Sequence, residues 1–103
     1  MPIITLTSDY GPERFYAGIL RGALATLAPE ATVVDLSHDV RKFSSVDAAL
    51  LLKSCVKHFP KGTVHIVAVM SEATVEHPHR IVRIDDQYFV GADTGVFHLI
   101  FGK

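Results

Sequence analysis

Hydrophobic residues along the chain alternate between short β-branched runs and longer segments in which they recur every three or four positions. Short apolar runs bounded by turn residues are typical of buried strands, and the longer spacing is typical of amphipathic helices. The first part of the chain is therefore predicted to form strands at 3–7, 32–36 and 63–69, with helices at about 13–28 and from Ser44 to the residue before Pro60.

Beyond the third strand, the pattern changes to shorter elements. It predicts a polar loop, two short strands, a polar turn and the start of a helix, at 71–79, 80–84 with 87–90, 91–95 and 96–101. Asp85-Asp86 joins the two short strands as a tight hairpin turn. We therefore predict a layered α/β domain with a mostly parallel central sheet flanked by helices, in which the first three strands are adjacent or nearly so.

The same spacing predicts which side chains form the core. Ala17, Leu20, Leu24 and Leu27 make the apolar stripe of the first helix. The almost continuous apolar run of the third strand indicates burial on both of its faces. The single cysteine, Cys55, is interpreted as a buried structural thiol, since free cysteine usually packs as a small hydrophobic residue.

Composition narrows the class of protein. A chain of 103 residues fits a single domain, and 49% hydrophobic with 20% charged residues is typical of a globular protein. The net charge of −1 and the lack of a basic run argue against nucleic acid or a membrane as the main partner. No signal peptide precedes the first strand, and one cysteine cannot form an internal disulfide, so we expect a cytoplasmic protein.

Polar side chains follow the predicted strands where each strand ends. They are Asp9, the loop 37–39, Met70-Ser71-Glu72 and Asp93. Parallel strands with crossover helices bring such ends to one edge of the sheet, where small molecules bind. The two oxygens of the Asp9 carboxylate suit a vicinal diol such as a ribose. The alternative is that Asp9 caps the next helix or closes an Asx-turn.

The six histidines carry weaker indications. His77 and His79 flank Pro78, but a zinc site would need two further ligands, so no metal is predicted. His38 lies near the predicted site, where the alternative role is a structural hydrogen bond to the loop backbone. The remaining ones give no indication beyond ordinary surface or half-buried positions: His58, His65 and His98.

Five phrases carry a resemblance to a known family: TLTSDYG at 5–11, YAGILRG at 16–22, VVDLSH at 33–38, FPKGTVH at 59–65 and FVGADTG at 89–95. In this order they resemble the S-adenosylmethionine hydroxide adenosyltransferases, relatives of the S-adenosylmethionine-dependent fluorinase and chlorinase. The resemblance covers essentially the whole chain. It implies nucleophilic attack at the ribose C5′ of S-adenosylmethionine with release of methionine, by water or hydroxide in the hydrolases and by a halide in the halogenases.

The resemblance also implies roles for individual residues. Asp9 matches the carboxylate that holds the ribose hydroxyls, and Phe43 falls where the family often has an aromatic wall, although it could instead be a packing residue at the start of a helix. Asp93 matches the family's Asp-Asn-Gly turn, here with Thr94 in place of Asn. No metal or redox cofactor is expected, because the sulfonium already makes methionine a good leaving group.

One departure from the family lies after the third strand. The hydrolases usually carry an Asp there, and some relatives have Asp-Ser-Glu; this chain has Met70-Ser71-Glu72. Ser71 is carried over as a substrate-binding residue. Met70 has no acid or base group with which to orient water. Glu72 could substitute only if the loop shifts, and the alternative is a solvated loop charge.

A second departure is length. Family members have a separate C-terminal β-barrel-like domain that completes the active site at a trimer interface. We therefore expect residues 1–103 to be one partial α/β domain that lacks the second domain and forms a homotrimer. Two functions stay open: part of an adenosine-forming S-adenosylmethionine hydrolase, with the chain alone inactive, or a catalytically degenerate module of the same fold that binds adenosine or S-adenosylmethionine, or serves assembly. An unrelated nucleotide-binding domain is disfavoured, because no glycine-rich phosphate loop is present.

Overall fold

A computed structural model of the chain describes residues 2–9, 11, 15–40, 45–68 and 79–92. The elements in chain order are β1 (Ile3–Ser8), α1 (Phe15–Leu27), β2 (Thr32–Ser37), α2 (Ser45–Cys55), a 3₁₀ turn (Val56–His58), β3 (Val64–Ala68), β4 (His79–Ile84) and β5 (Gln87–Ala92). Every predicted strand and helix that falls in the described ranges is thus confirmed. The predicted polar loop at 71–79 and turn at 91–95 are wrong at one end each, because His79 belongs to β4 and pairs with Ala92 of β5. Residues 71–78 and 93–95 and the predicted helix start at 96–101 lie outside the described ranges.

The strands form one five-stranded sheet in the order β2-β1-β3-β5-β4. β1 runs parallel to both β2 and β3, and β3 runs parallel to β5. Only the pairing of β4 with β5 is antiparallel. The predicted mostly parallel sheet, with the first three strands adjacent, is therefore confirmed.

The β4–β5 hairpin turns at Asp85 and Asp86, as predicted. Both residues have positive φ, at 51° and 62°. Two central residues in the left-handed region are what a type I′ turn requires, and its twist matches that of the flanking strands. The turn closes the register that pairs Ile84 with Gln87.

Helix α2 supplies three of the six buried residues of the described core cluster. Its Ala48, Ala49 and Leu52 are buried in one cluster with Val67 of β3 and Phe89 of β5. Successive residues of a strand face opposite sides of the sheet, so His65 and Val67 of β3 share one face, and the residues opposite them in β5 are Phe89 and Gly91. The sheet face that carries these side chains is therefore the one that α2 covers.

Helix α1 covers the sheet less completely than predicted. Ala17 is buried and Leu20 and Leu24 are half-buried, but Leu27, the last residue of the helix, is 82% exposed. Its predicted place in the core stripe is wrong: the half-buried side of the helix is continued by Ala28, the residue after its end, and not by Leu27.

Two further predictions of burial, for both faces of β3 and for Cys55, are wrong. Val64 and Ile66 of β3 are half-buried, so this strand is fully covered on the α2 side only. Cys55 is also half-buried rather than buried, since it is the last residue of α2 and lies at the edge of the core.

His65 is the largest departure from the sequence prediction, because it is completely buried. Its Nδ1 lies 2.6 Å from the Thr5 hydroxyl and its Nε2 lies 2.5 Å from Gln87 Oε1. The ring stacks on Phe89 at a centroid distance of 4.8 Å. A buried imidazole with partners at both nitrogens is stable in a core. Burial lowers the pKa of His65, and the hydrogen bond with Gln87 opposes that shift in part.

Candidate functional site

The topology places a switch point at the end of β1. From β1 the chain passes through α1 to β2 on one side, and then through α2 to β3 on the other side of β1. The strand order therefore reverses between β1 and β3. Ligands of open α/β sheets bind outside the carboxyl ends of the strands at such a switch point. The residue that follows β1 at this position is Asp9.

The backbone around Asp9 is held by hydrogen bonds to the end of β3 and to the loop that follows β2. Its N–H donates to the carbonyl of Ala68, at the end of β3, over 3.5 Å. On the β2 side, the carbonyl of Ser8 accepts from the N–H of Val40 at 3.2 Å, and Gly11 N–H donates to the carbonyl of His38 at 2.8 Å. Gly11 has a φ of 76°, so the turn after Asp9 uses a conformation that favours glycine. The backbone around the carboxylate is therefore fixed from two sides.

One contact of this turn bears on the alternative that Asp9 closes an Asx-turn. An Asx-turn would use the N–H two residues later, but Gly11 N–H donates to His38. Residues 12–14, between this turn and Phe15 of α1, lie outside the described residues, so the capping role of Asp9 stays an alternative. With 8% of its surface exposed, Asp9 lies at the rim of the sheet rather than in open solvent. A carboxylate in this place can accept hydrogen bonds from a diol.

A chain of four polar side chains supports the end of β1 from the β2 side, and we call it the Ser8–Arg21 chain. Ser8 Oγ lies 2.5 Å from His38 Nδ1, and His38 Nε2 lies 2.8 Å from Asp35 Oδ1. Arg21 of α1 donates to the other carboxylate oxygen, Oδ2, at 2.9 Å. The chain thus connects a helix, a strand and a loop to the residue that precedes Asp9.

Charges within the Ser8–Arg21 chain stabilise the ionised form of Asp35. Partial burial would raise the pKa of Asp35, but the hydrogen bond from His38 and the charge of Arg21 outweigh it, so this pKa lies below the ordinary value. Asp35 therefore acts as an acceptor at neutral pH. Because it accepts from Nε2, that nitrogen carries a hydrogen. In a neutral imidazole, Nδ1 is then the acceptor, and Ser8 Oγ–H donates to it.

The residue types of the Ser8–Arg21 chain are those of a serine hydrolase triad, but its geometry does not allow nucleophilic attack. Ser8 is fully buried, so its hydroxyl cannot meet a substrate. A triad serine must be open to the scissile carbonyl. The chain is therefore suited to holding backbone in place.

The sequence did not predict most of the contacts in the Ser8–Arg21 chain. It placed Asp35 inside strand two without a role and expected the His38 side chain to pair with loop backbone. Instead the imidazole bonds to Ser8 and Asp35, and it is the carbonyl of His38 that bonds to Gly11. The three-residue spacing of Asp35 and His38 across a strand end was the available indication. Ser8 lies 30 positions from His38, and no local pattern pairs them.

The other predicted site residues cannot be placed. Phe43, Met70, Ser71, Glu72 and Asp93 lie outside the described residues, so their convergence on Asp9 stays a prediction. Within the described part of the chain, β1, β2, β3 and β5 are all parallel and end at one edge.

A separate groove of about 490 Å³ lies between α1 and the edge strand β2. It does not include Asp9, and its lining is mostly small and apolar: Arg21, Gly22, Ala25, Ala28, Pro29, Ala31 and Val33. The groove has no carboxylate to receive a diol, so we place the candidate site at the switch point instead.

Two kinds of feature are absent from the described residues. Among them, no group of three or more His, Cys, Asp or Glu side chains is arranged to hold a metal ion. In the same ranges, no helix has the length and apolar character needed to cross a membrane.

Comparison with known families gives one match over almost the whole chain. Residues 4–103 match the family described as the SAM hydroxide adenosyltransferase N-terminal domain. Because this match covers far more than half of the chain, it defines the family.

Curated relatives with the same name come from three organisms. A protein of Methanocaldococcus jannaschii named (R)-S-adenosyl-L-methionine hydrolase is 28% identical over 100% of this chain and 41% of its own length. Proteins of that name from Thermus thermophilus and Salinispora arenicola are each 30% identical, over 89% and 92% of this chain, and 36% of their own lengths. The chain thus spans less than half the length of these relatives.

Solved structures show the same fold. An uncharacterised conserved protein from Thermotoga maritima superposes with a TM-score of 0.84 at 27% identity, over 97% of this chain and 38% of its own. A conserved hypothetical protein from Thermus thermophilus gives a TM-score of 0.77 at 28% identity, over 96% and 41%.

Proposed function

Since the chain belongs to the S-adenosylmethionine hydroxide adenosyltransferase family, through its N-terminal domain, we propose that it forms the nucleoside-binding part of an S-adenosylmethionine hydrolase. The proposed reaction converts S-adenosylmethionine and water to adenosine and methionine. The observation that carries the proposal is the family match over residues 4–103. The shared name of three curated relatives supports the substrate, including the (R) configuration at sulfur.

In the proposed reaction, the leaving group needs little assistance from the protein. Water or hydroxide attacks the ribose C5′, a C–O bond forms and the C5′–S bond breaks, with its electron pair passing to sulfur. Methionine leaves as a neutral thioether, and the attacking water loses a proton. Rate enhancement then depends on in-line positioning and on exclusion of bulk solvent. The protein must therefore fix the ribose, and no cofactor is required.

Asp9 is the residue proposed to fix the ribose. Its carboxylate can accept hydrogen bonds from the 2′ and 3′ hydroxyls, and its backbone is held by Ala68. Hydrogen bonds to an ionised acceptor contribute about 1.5–3 kcal/mol each. Phe43, Ser71 and Asp93 are proposed to complete the substrate site, because the family resemblance assigns them there.

A degenerate binding or assembly module is the second candidate, favoured by one observation. Met70 stands where the hydrolases carry an Asp, and a thioether cannot orient or deprotonate water. Glu72 is the nearby carboxylate that could replace it. We expect the 103-residue chain alone to turn over little S-adenosylmethionine.

The proposed assembly is a cytoplasmic homotrimer. Apolar side chains on the surface of α1 support a protein partner, with Phe15 60% and Ile19 65% exposed. Sedimentation velocity over a range of concentrations tests this, and a stable monomer throughout would contradict it.

A chimera separates the two candidate functions. Residues 1–103 are joined to the part of the Methanocaldococcus relative that they do not cover, and adenosine and methionine are quantified by chromatography after incubation with S-adenosylmethionine. The intact relative is the positive control. We expect weak turnover by the chimera and a clear increase on Met70→Asp. A folded chimera that binds adenosine but stays inactive with Met70→Asp would favour the degenerate module.

A further inference from the structure

We propose that His38 is a positioning residue for nucleoside binding, acting through Ser8 to hold Asp9 in the orientation that the ribose diol requires. This inference rests on the proposed role of Asp9 as the ribose ligand. It assigns a function to the Ser8–Arg21 chain, which no step of the proposed chemistry uses.

The regular pairing of β1 with β2 breaks just before Asp9. The register is continuous from Ile3 to Leu6 and then shifts, so that Thr7 lies opposite Ser37. Such irregularities bend a strand and change the direction of the residues that follow. Beyond the shift, the end of β1 needs other contacts to hold it against β2.

Those contacts converge on the loop that contains His38. The imidazole binds the Ser8 hydroxyl, the carbonyl of Ser8 accepts from Val40, and the carbonyl of His38 accepts from Gly11. The residues on both sides of Asp9 are therefore attached to one three-residue segment. A displacement of His38 would be passed to Asp9 through Ser8 and Gly11.

The imidazole is itself held in one orientation. Asp35 accepts from Nε2 and fixes the tautomer, and Arg21 holds Asp35 from α1. His38 and Ser8 are both buried, whereas Arg21 and Asp35 are about half exposed. Exposed ion pairs contribute little to stability, so the contact between Arg21 and Asp35 orients the His38 imidazole more than it stabilises the fold.

Two substitutions separate the contacts of the ring. His38→Asn places a polar group near the Nδ1 position, where it can still accept from Ser8. His38→Gln places its amide near the Nε2 position, where it can pair with Asp35 but not with Ser8. If His38 acts through Ser8, the Asn variant retains function and the Gln variant loses it.

The test is the ratio of the affinities for adenosine and 2′,3′-dideoxyadenosine, measured by calorimetry on the 103-residue chain. Both ligands bind the folded state, so the ratio does not change when a variant is merely less stable. The wild-type chain should prefer adenosine by roughly 10- to 150-fold, the scale of a charged hydrogen bond. His38→Gln and Ser8→Ala should each reduce the preference to about twofold or less, and His38→Asn should keep most of it.

Each result has a distinct meaning. Loss of the preference in His38→Gln with retention in His38→Asn supports the proposal. An unchanged preference in both variants overturns it, while the role of Asp9 stands. A wild-type chain that binds both nucleosides equally overturns the role of Asp9 and this inference with it, and that failure is visible before any variant is made.

Discussion

Two threonines of β1 provide a matched test of how buried hydroxyls contribute to this fold. Thr5 and Thr7 are two positions apart on one strand and so face the same side of the sheet. Both are buried almost completely. The Thr5 hydroxyl bonds to His65 Nδ1 at 2.6 Å, whereas Thr7 Oγ1 is a buried atom without a hydrogen-bond partner in the described structure. Replacing each with valine exchanges a hydroxyl for a methyl group of similar shape.

The two substitutions should have effects of opposite sign. Thr5→Val leaves Nδ1 of the buried His65 without its donor, which costs about 1–3 kcal/mol. Thr7→Val removes a hydroxyl whose desolvation is not compensated and adds a buried methyl group, so it should stabilise by about 1 kcal/mol. The variants should therefore differ by about 2–4 kcal/mol, a large part of the stability of a domain of this size.

Urea unfolding followed by circular dichroism measures the difference. We expect the midpoint of Thr5→Val to fall and that of Thr7→Val to rise, with unchanged slopes, because neither substitution alters the surface exposed on unfolding. Equal destabilisation by the two substitutions would refute the reasoning. It would mean that Thr7 has a hydrogen-bond partner in solution.

Two further predictions concern pH and backbone conformation. Burial lowers the pKa of His65 below its ordinary value of 6.5, so the unfolded chain binds a proton more readily. The free energy of unfolding should therefore be constant above about pH 6.5 and should fall as the pH decreases toward the folded-state pKa; equal urea midpoints at pH 5 and 7.5 would contradict this. Gly62→Ala should destabilise by about 1–2 kcal/mol, since φ is 86° there, although a Cβ would meet no atom within 4 Å. Gly22→Ala, equally unobstructed but inside α1, should stabilise by up to about 1 kcal/mol in thermal unfolding, and a loss at Gly22 matching that at Gly62 would refute the backbone argument.

The architecture was predictable because it depends on local patterns. The apolar runs, the helical spacing and the Asp85-Asp86 turn each reflect the conformation of neighbouring residues, and the order of the elements then limited the topology. The end of β1 could be selected as a binding edge for the same reason. Asp9 was selected as a candidate because it follows a strand, and its role stays a prediction.

Side-chain partnerships could not be predicted in this way. His65 was expected at an ordinary surface or half-buried position, yet it is buried because Thr5, 60 positions earlier, and Gln87, 22 positions later, satisfy its nitrogens. Such contacts depend on strand register, which periodicity does not define. Leu27 was wrongly predicted for a different reason: its spacing fits the apolar stripe of α1, but the half-buried positions are Leu20, Leu24 and Ala28.

The central claim is that Asp9 binds the ribose of an adenosine-containing substrate at the switch point of the sheet. The most direct measurement is calorimetric titration of adenosine into the wild-type chain, Asp9→Asn and the control Asp85→Asn, which removes the same charge in the exposed hairpin turn. The account predicts that Asp9→Asn weakens binding by about 1–3 kcal/mol, while Asp85→Asn binds as the wild type does. Equal adenosine affinity for the wild type and Asp9→Asn would contradict the account.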